Sequence, residues 1–134
     1  MSPATLSRSV AVLLWALVAS ACAVGVRGRS GIEHPRAGTV EEGWASWYGT
    51  RYQGRRTASG EPFDMSALTA AHRRWAFGTR VRVTHLRSGR EVVVRINDRG
   101  PYAKRRILDL SREGARVLGM LRQGQARVRI EVID

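Results

Sequence analysis

The order of apolar and polar positions after residue 42 predicts a series of short β-strands. In the last of them the letters A-R-V-R-I-E-V-I alternate without a break, as they do in a strand that buries one face. Earlier segments predict strands by the same alternation or by a high content of β-branched residues. The four segments are Gly43–Gly49, Thr79–Leu86, Arg90–Ile96 and Ala126–Ile133, and a shorter apolar run lies at Ile107–Leu110.

Turn and cap residues divide these segments. The pair Ser88-Gly89 is typical of a tight turn, so the strands on either side of it should form a hairpin. Ser111 can cap a short helix that has Glu113 in its first turn and Gly119 near its end. We therefore expect a mainly β domain with five or six strands and one small helix, and the pattern allows either a barrel or a sandwich.

Residues 1–22 have the pattern of an export signal. Arg8 and the amino terminus supply positive charge, and the apolar run Val10–Ala19 is too short to span a bilayer comfortably. The small residues Ala19–Ala21 fit an ordinary cleavage site, and they also resemble a lipoprotein box, in which Leu usually stands in place of Ala19. We favour lipidation of Cys22. The expected location is the periplasmic cell envelope, with a lipid anchor in a membrane.

Residues 23–42 predict a flexible linker, because they are polar, contain several glycines and include Pro35. One small domain is therefore expected at residues 43–134. Cys22 is the only cysteine in the chain. The sequence thus excludes an intrachain disulfide framework and a zinc site built from several cysteines.

The formal net charge is +12, and arginine carries nearly all of the positive charge, since Lys104 is the only lysine. Such a charge predicts an acidic partner, which the composition leaves open between nucleic acid, anionic lipid and an anionic wall polymer. The arginines are spread through strands and loops, whereas nucleic-acid recognition gathers them on one element. Because an exported chain rarely meets nucleic acid, we expect a wall or lipid surface and no nucleic acid.

One carboxylate stands out by its position. The run that starts at Val92 ends in Asn97–Pro101, whose letters N-D-R-G-P favour a turn. Asp98 should therefore lie at the end of a strand, with Arg95 and Arg99 close in sequence, where a rigid backbone would position it. From spacing alone, this carboxylate is either a catalytic acid or a turn-forming residue that binds neighbouring amides.

Six motifs follow one another at compact spacing along the predicted domain. They are Ala45–Gly49 (A-S-W-Y-G), Gly54–Asp64 (G-R-R-T-A-S-G-E-P-F-D), Leu68–His72 (L-T-A-A-H), Phe77–Thr84 (F-G-T-R-V-R-V-T), Val93–Tyr102 (V-V-R-I-N-D-R-G-P-Y) and Ile107–Ser111 (I-L-D-L-S). Together they resemble the rare lipoprotein A family of bacterial septal-ring lytic transglycosylases, over essentially all of Gly43–Asp134. The resemblance implies a six-stranded double-psi β-barrel with one or two short helices, a fold that expansins share.

The resemblance also implies an activity. Members of this family are endolytic peptidoglycan transglycosylases, which cleave the β-1,4 bond between N-acetylmuramic acid and N-acetylglucosamine without water. They leave 1,6-anhydro-muramyl ends and prefer glycan strands stripped of stem peptides. The implied partner is the glycan strand, the implied state is a monomer, and no cofactor or metal is expected, since no nucleotide-binding or metal-binding motif is present.

The family match assigns roles to four acid–base candidates. Asp98 is implied to be the principal acid and base. Glu61 and Asp64 are implied to line the cleft and raise the pKa of that acid, although the sequence alone also fits a solvated acidic loop. A histidine at the end of an apolar run is ordinarily a core or capping residue, but the match implies that His72 orients the aspartate or shares its proton. His85 matches no motif and is expected at the surface.

Aromatic and polar neighbours are the candidate sugar contacts. Trp47 and Tyr48 could stack on sugar rings, and alternation along the strand turns one of them inward, which favours Tyr48 as the ligand contact. Three further residues flank the candidate acid and could bind acetamido or lactyl groups: Asn97, Arg99 and Tyr102. The alternative function is a non-catalytic, expansin-like glycan binder of the cell wall. The presence of all four acid–base candidates favours the enzyme.

Overall fold

The computed structural model describes residues 31–134, so the predicted export signal and Cys22 lie outside the described residues. Six strands and one α-helix follow in order, with a single 3-10 turn at Thr50–Tyr52 after the first strand. The strands are β1 (Val40–Tyr48), β2 (Thr69–Ala71), β3 (Arg80–His85), β4 (Glu91–Asp98), β5 (Arg106–Ser111) and β6 (Gln125–Val132), and helix α1 is Arg112–Leu118.

The strands close into a barrel in the order β1-β5-β2-β4-β3-β6. Two neighbouring pairs, β1 with β5 and β2 with β4, are parallel, and the other pairs are antiparallel. The choice between barrel and sandwich is thus decided in favour of the barrel, which leaves no unpaired strand edge. The hairpin predicted around Ser88-Gly89 is β3–β4, and Gly89 takes a φ of +77° in its turn.

The core lies inside this barrel and beneath α1. Alternate residues of β3, β4 and β6 are buried, as their patterns predicted. Ser111 caps α1 by accepting a hydrogen bond from the Gly114 amide (3.2 Å), and Gly119 ends the helix with a φ of +77°. The caps fix where α1 sits, and its buried residues Ala115 and Leu118 close one side of the core.

One boundary and one residue differ from expectation. The predicted linker reaches residue 42, but β1 begins at Val40, and Glu33 already pairs its backbone with Arg74 and Ala76. Residues 23–30 of that linker lie outside the described part of the chain. His85, expected at the surface, is only 5% exposed. Its Nδ1 accepts the backbone N–H groups of the following turn, so the turn holds it inside.

Candidate functional site

Strand register brings two carboxylates to one face of the barrel. Ser46 on β1 pairs with Asp109 on β5, Asp109 pairs with Ala71 on β2, and Ala71 pairs with Asp98 on β4. Paired residues on neighbouring strands point to the same face. The two aspartates therefore flank Ala71 on one face, with Cα atoms about 10 Å apart at the usual strand spacing. The small side chain of Ala71 leaves the space between them open.

A cleft of about 310 Å³ opens over this row, within the usual range for a small-molecule site. Its floor and one wall come from strand ends, and the opposite wall comes from the loop between β1 and β2. The lining residues are Tyr48, Tyr52, Arg55, Arg56, Thr57, Phe63, Ala71, Asp98, Arg99 and Asp109. Three predicted site residues, Tyr48, Asp98 and Arg99, thus meet in one cavity.

Asp98 is the last residue of β4, where the sequence predicted it. Its Oδ1 accepts hydrogen bonds from the backbone N–H groups of Ala58 (2.9 Å) and Arg99 (2.8 Å). The two amides fix one oxygen of the carboxylate, while no residue among 31–134 donates a hydrogen bond to the other oxygen. The turn-binding interpretation and the catalytic one are therefore compatible, because the turn anchors one oxygen of a residue that also lines the cleft.

Asp109 was not among the predicted site residues. It accepts a hydrogen bond from the Ser46 hydroxyl, and its Oδ1 lies 3.9 Å from Nε of Arg106. Only its place in the I-L-D-L-S motif marked it in the sequence. Asp109 lies across the cleft from Asp98 because β5 pairs with β2, and no local sequence pattern reveals that pairing.

The charges of both aspartates act on the side chain of Tyr48. Its ring packs on Phe63 with centroids 4.6 Å apart and meets Tyr52 edge to face at 5.7 Å. Burial raises the pKa of Tyr48 well above its ordinary value, and the charges of Asp98 and Asp109 raise it further. The phenol therefore stays neutral. Its hydroxyl is buried and has no hydrogen-bond partner within residues 31–134.

The imidazole of His72 does not reach the carboxylate that the family match paired with it. The side chain is buried, its Nδ1 accepts the backbone N–H groups of Arg74 (3.1 Å) and Trp75 (3.0 Å), and its Nε2 lies 3.3 Å from Glu41. Its ring stacks on Trp75 with centroids 4.2 Å apart. Only the backbone N–H of His72 contacts Asp98, through the carbonyl oxygen (3.2 Å). The geometry is that of a capping histidine.

Glu61 and Asp64 lie outside the cleft lining. Glu61 forms an ion pair with Arg95 (3.0 Å) and accepts a hydrogen bond from the Asn97 amide. The hydrogen bonds from Arg95 and Asn97 lower the pKa of Glu61, and the one from Arg95 has the larger effect. Asp64 accepts a hydrogen bond from the Ser66 amide (2.9 Å) and shapes its own loop. Because Glu61 is neutralised by a cation, the predicted like-charge effect on the acid has no support in this arrangement.

The remaining predicted sugar contacts separate into buried and exposed residues. Asn97 is buried and holds Glu61, whereas Tyr102 is 80% exposed. Arg99 lines the cleft, donates to the carbonyl of Trp75 (2.8 Å) and lies 4.0 Å over the Phe77 ring. Trp47 is half-buried and lines a second groove beside the cleft. The expectation that Tyr48 faces the cleft agrees with its position.

Two kinds of feature are absent from residues 31–134. No helix in this part of the chain is both long enough and apolar enough to cross a membrane. No group of three or more His, Cys, Asp or Glu side chains within it is arranged to hold a metal ion.

The closed six-stranded barrel with its two parallel strand pairs defines a double-psi β-barrel protein, as the sequence motifs implied. The model of the family described as "Lytic transglycolase" matches residues 40–130. The chain belongs to this family of lytic transglycolases. Its match begins at Val40, the residue at which β1 begins.

Curated relatives share about half of their aligned residues with the chain. A probable endolytic peptidoglycan transglycosylase RlpA of Synechocystis is 53% identical over 95 residues, which are 71% of this chain and 30% of the relative. The endolytic peptidoglycan transglycosylase RlpA of Neisseria meningitidis is 50% identical over 94 residues, covering 70% and 39%. That of Pseudomonas aeruginosa is 49% identical over 92 residues, covering 69% and 27%. The chain therefore spans well under half the length of each.

Solved structures support the fold. The Streptomyces papain inhibitor superposes with a TM-score of 0.62 at 23% identity, over 76% of this chain and all of the inhibitor. An expansin of Clavibacter michiganensis superposes with a TM-score of 0.57 at 24% identity, over 72% of this chain and 51% of the expansin. At these identities the likeness concerns the barrel alone.

Proposed function

We propose that the chain is an endolytic peptidoglycan lytic transglycosylase that cleaves the β-1,4 bond between N-acetylmuramic acid and N-acetylglucosamine. The observation that carries this proposal is the pair Asp98 and Asp109 on either side of Ala71, in the cleft of a family member. Breaking a glycosidic bond requires a proton on the leaving oxygen and a negative group near the developing oxocarbenium ion. The two carboxylates can supply one requirement each.

Asp98 acts as the acid and then as the base. In its protonated form it donates a proton to the glycosidic oxygen, and the bond from that oxygen to C1 of the muramyl residue breaks. The 6-hydroxyl of the same sugar then attacks C1 and gives its proton to the carboxylate, which restores the acid. No water enters, and the product carries a 1,6-anhydro ring. The two amides that hold Oδ1 orient the carboxyl group throughout.

Asp109 and Tyr48 complete the chemistry. The carboxylate of Asp109, which accepts a hydrogen bond from Ser46 and lies beside the guanidinium of Arg106, can stabilise positive charge at C1. The neutral hydroxyl of Tyr48 can donate a hydrogen bond to a sugar oxygen in the same cleft. In this mechanism, His72 is a positioning residue for the backbone that follows β2, and Glu61 positions Asn97.

The location of the enzyme is part of the proposal. An export signal at residues 1–22 and a lipid anchor at Cys22 would hold the domain in the cell envelope, as a monomer facing the wall. The relatives named above as peptidoglycan transglycosylases support a substrate in that compartment. A role at the septal ring rests on the family resemblance alone. Labelling with a radioactive fatty acid, with Cys22→Ser as the control, tests the anchor.

Product analysis tests the reaction. The full chain, its Asp98→Asn variant and an Asp134→Asn control outside the cleft are incubated with intact sacculi and with amidase-stripped glycan. Products are analysed by mass spectrometry. We expect anhydro-muramyl ends from the native chain and the control, and at least a hundredfold fewer from Asp98→Asn, since a general acid contributes about 10²–10⁴ in rate.

Two other outcomes would change the assignment. Reducing ends that incorporate water would indicate hydrolysis, with Asp109 as a base that activates water. Glycan binding without cleavage of either substrate would refute the enzyme and favour the expansin-like alternative.

A further inference from the structure

Two loop segments lie together at the end of the barrel where β4 ends in Asp98. The first, residues 72–79, follows β2, and the second, residues 99–105, joins β4 to β5. They lie at the same end because β2 and β4 are parallel and β5 is antiparallel to β2. Where the segments begin, the backbone N–H of His72 donates to the carbonyl of Asp98 (3.2 Å). Since the second segment leads to the strand that carries Asp109, the contacts between the segments bear on both carboxylates of the cleft.

Arg73, in the first segment, binds the second. Its guanidinium donates to three backbone carbonyls, those of Pro101, Ala103 and Arg106, the last at 3.0 Å. These carbonyls extend along the connection between β4 and β5 as far as the first residue of β5. The side chain of Arg73 is half-buried and lies outside the cleft lining. It therefore binds backbone on the far side of the segment from which the cleft residues extend, and not a ligand in the cleft.

Arg99 makes the reverse connection, from the second segment to the first. Its guanidinium donates to the carbonyls of His72 (3.3 Å) and Trp75 (2.8 Å). It also lies 4.0 Å from the centre of the Phe77 ring, in the same segment. Each segment thus supplies a cation that binds the carbonyls of the other. We call Arg73, Arg99 and their five carbonyl acceptors the arginine clasp.

The clasp differs from the other arginine contacts of residues 31–134. Most of the paired arginines there bind carboxylates, as Arg80 binds Asp134 at 2.6 Å. Arg73 and Arg99 form no ion pair in the described part of the chain, and they alone in it donate to more than one backbone carbonyl. A guanidinium donates from a rigid, planar fork, so carbonyls that share one fork are fixed relative to one another. A charged donor also makes a hydrogen bond roughly twice as strong.

We propose that Arg73 is a positioning residue for glycan cleavage and that, with Arg99, it holds Asp98 in place relative to Asp109. The inference rests on the proposed function, because that reaction requires the two carboxylates to act together. Catalytic groups must be held within about 0.5 Å of their productive positions, and a displacement of about 1 Å can cost about 10² in rate. The clasp restrains the segment that joins the strands of both carboxylates. Arg73 acts through the backbone and does not touch the substrate.

Amide hydrogen exchange, followed by NMR, tests the clasp without any substrate. The full chain is compared with its Arg73→Gln and Arg73→Lys variants. The control is Arg105→Gln, an exposed arginine of the second segment whose side chain makes no hydrogen bond in the described part of the chain. The amides of Ala58 and Arg99, which bind the carboxylate of Asp98, report on local opening there. The amides of β6, on the opposite side of the barrel from β2, report on global unfolding.

The expected result is faster exchange at the carboxylate. Arg73→Gln should speed exchange of the Ala58 and Arg99 amides about tenfold, because opening there then breaks fewer charged hydrogen bonds. Arg73→Lys should give a smaller increase, since an ammonium replaces only part of the fork, and Arg105→Gln should match the parent chain. Should Arg73→Gln fail to fold, Arg73→Lys carries the same comparison. Faster exchange in β6 with no change at the two amides would limit Arg73 to global stability and overturn the proposal.

Kinetics with amidase-stripped glycan test the positioning role. At a temperature where every variant is folded, Arg73→Gln should lower kcat about ten- to hundredfold and leave KM within about twofold, since the side chain has no substrate contact. Arg73→Lys should recover part of kcat, and Arg105→Gln should keep all of it. A higher KM with unchanged kcat would mean that Arg73 binds substrate. Activity that only follows the folded fraction would mean a purely structural residue, and either result would refute the positioning role.

The two measurements distinguish this inference from the proposed reaction. If the parent chain does not cleave glycan but the Ala58 and Arg99 amides respond to Arg73→Gln, the hold of the clasp on Asp98 stands and the reaction is refuted. If the parent chain cleaves glycan and these amides do not respond, the reaction stands and the clasp is refuted.

Discussion

Replacement of His72 should destabilise the domain, whether or not its side chain has a role in catalysis. In His72→Ala the backbone N–H groups of Arg74 and Trp75 lose their common acceptor, Nδ1. A buried donor left without an acceptor costs about 1–3 kcal/mol. The indole of Trp75, which is 1% exposed, also loses a stacking partner at 4.2 Å, and such pairs contribute about 0.5–1.5 kcal/mol.

Only the Trp75 donor is buried, whereas Arg74 is exposed. Together these losses therefore predict a destabilisation of about 2–5 kcal/mol, a large share of the roughly 5–15 kcal/mol that stabilises a domain of this size. His72→Asn provides the matched control. Its side-chain oxygen can lie near the position of Nδ1 and accept the same backbone groups, so about half of the lost stability should return. The free energy of unfolding is measured by urea denaturation, and activity is measured at a temperature where each variant is folded.

Stability and activity together distinguish two roles. If His72 is a positioning residue, His72→Asn should recover both stability and turnover relative to His72→Ala. If the unfolding free energy of His72→Ala lies within about 0.5 kcal/mol of that of the native chain and the variant is nevertheless inactive, the histidine takes part in the reaction. The family-based role would then be correct, and the contact with Glu41 would have to open during catalysis.

Three shorter predictions concern the cleft and its support. Tyr48→Phe should change the unfolding free energy by less than about 1 kcal/mol, since the hydroxyl has no protein partner among the described residues. It should lower kcat/KM about tenfold if the hydroxyl binds substrate; unchanged kinetics would refute that contact. Ala71→Leu should fill the space between Asp98 and Asp109 and reduce glycan cleavage at least tenfold with a modest loss of stability of about 1–3 kcal/mol, whereas Ala71→Gly should remain active. The hydrogen bond with His72 lowers the pKa of Glu41 in the folded protein, so the ionised Glu41 stabilises the fold above its ordinary pKa of 4.5, and this contribution disappears as the pH falls below that value. Glu41→Gln should therefore give a shallower loss of stability between about pH 5 and pH 3 in denaturation curves, and an unchanged slope would contradict the pairing.

Features that depend on a few neighbouring residues could be predicted from the sequence. The alternation of β6 predicted its buried face, the Ser88-Gly89 turn predicted a hairpin, and the N-D-R-G-P letters placed Asp98 at a strand end. Each of these features depends on a few consecutive residues, whose propensities agree with the fold around them. The motif resemblance added the closed barrel, which the pattern alone left open against a sandwich.

Features that depend on strand pairing could not be predicted from the sequence. β2 has only three residues, all of them buried, so it shows no alternation and was not predicted as a strand. Yet β2 is the strand that separates the two carboxylates, because Ala71 pairs with both Asp98 and Asp109. A three-residue strand gains its conformation from its neighbours, and its register is fixed by long-range contacts.

The same limit explains the positions of the two buried histidines. His72 follows β2 and His85 is the last residue of β3, and in both the Nδ1 accepts the backbone N–H groups two and three residues further along. One was assigned to catalysis by its motif and the other to the surface by its lack of one, although both perform the same structural task. A histidine can belong to a motif because its side chain fixes the turn of the backbone that follows it. In the proposed mechanism, catalysis depends on that histidine through the loop it holds, because the backbone carbonyl of Asp98 accepts a hydrogen bond from the His72 amide.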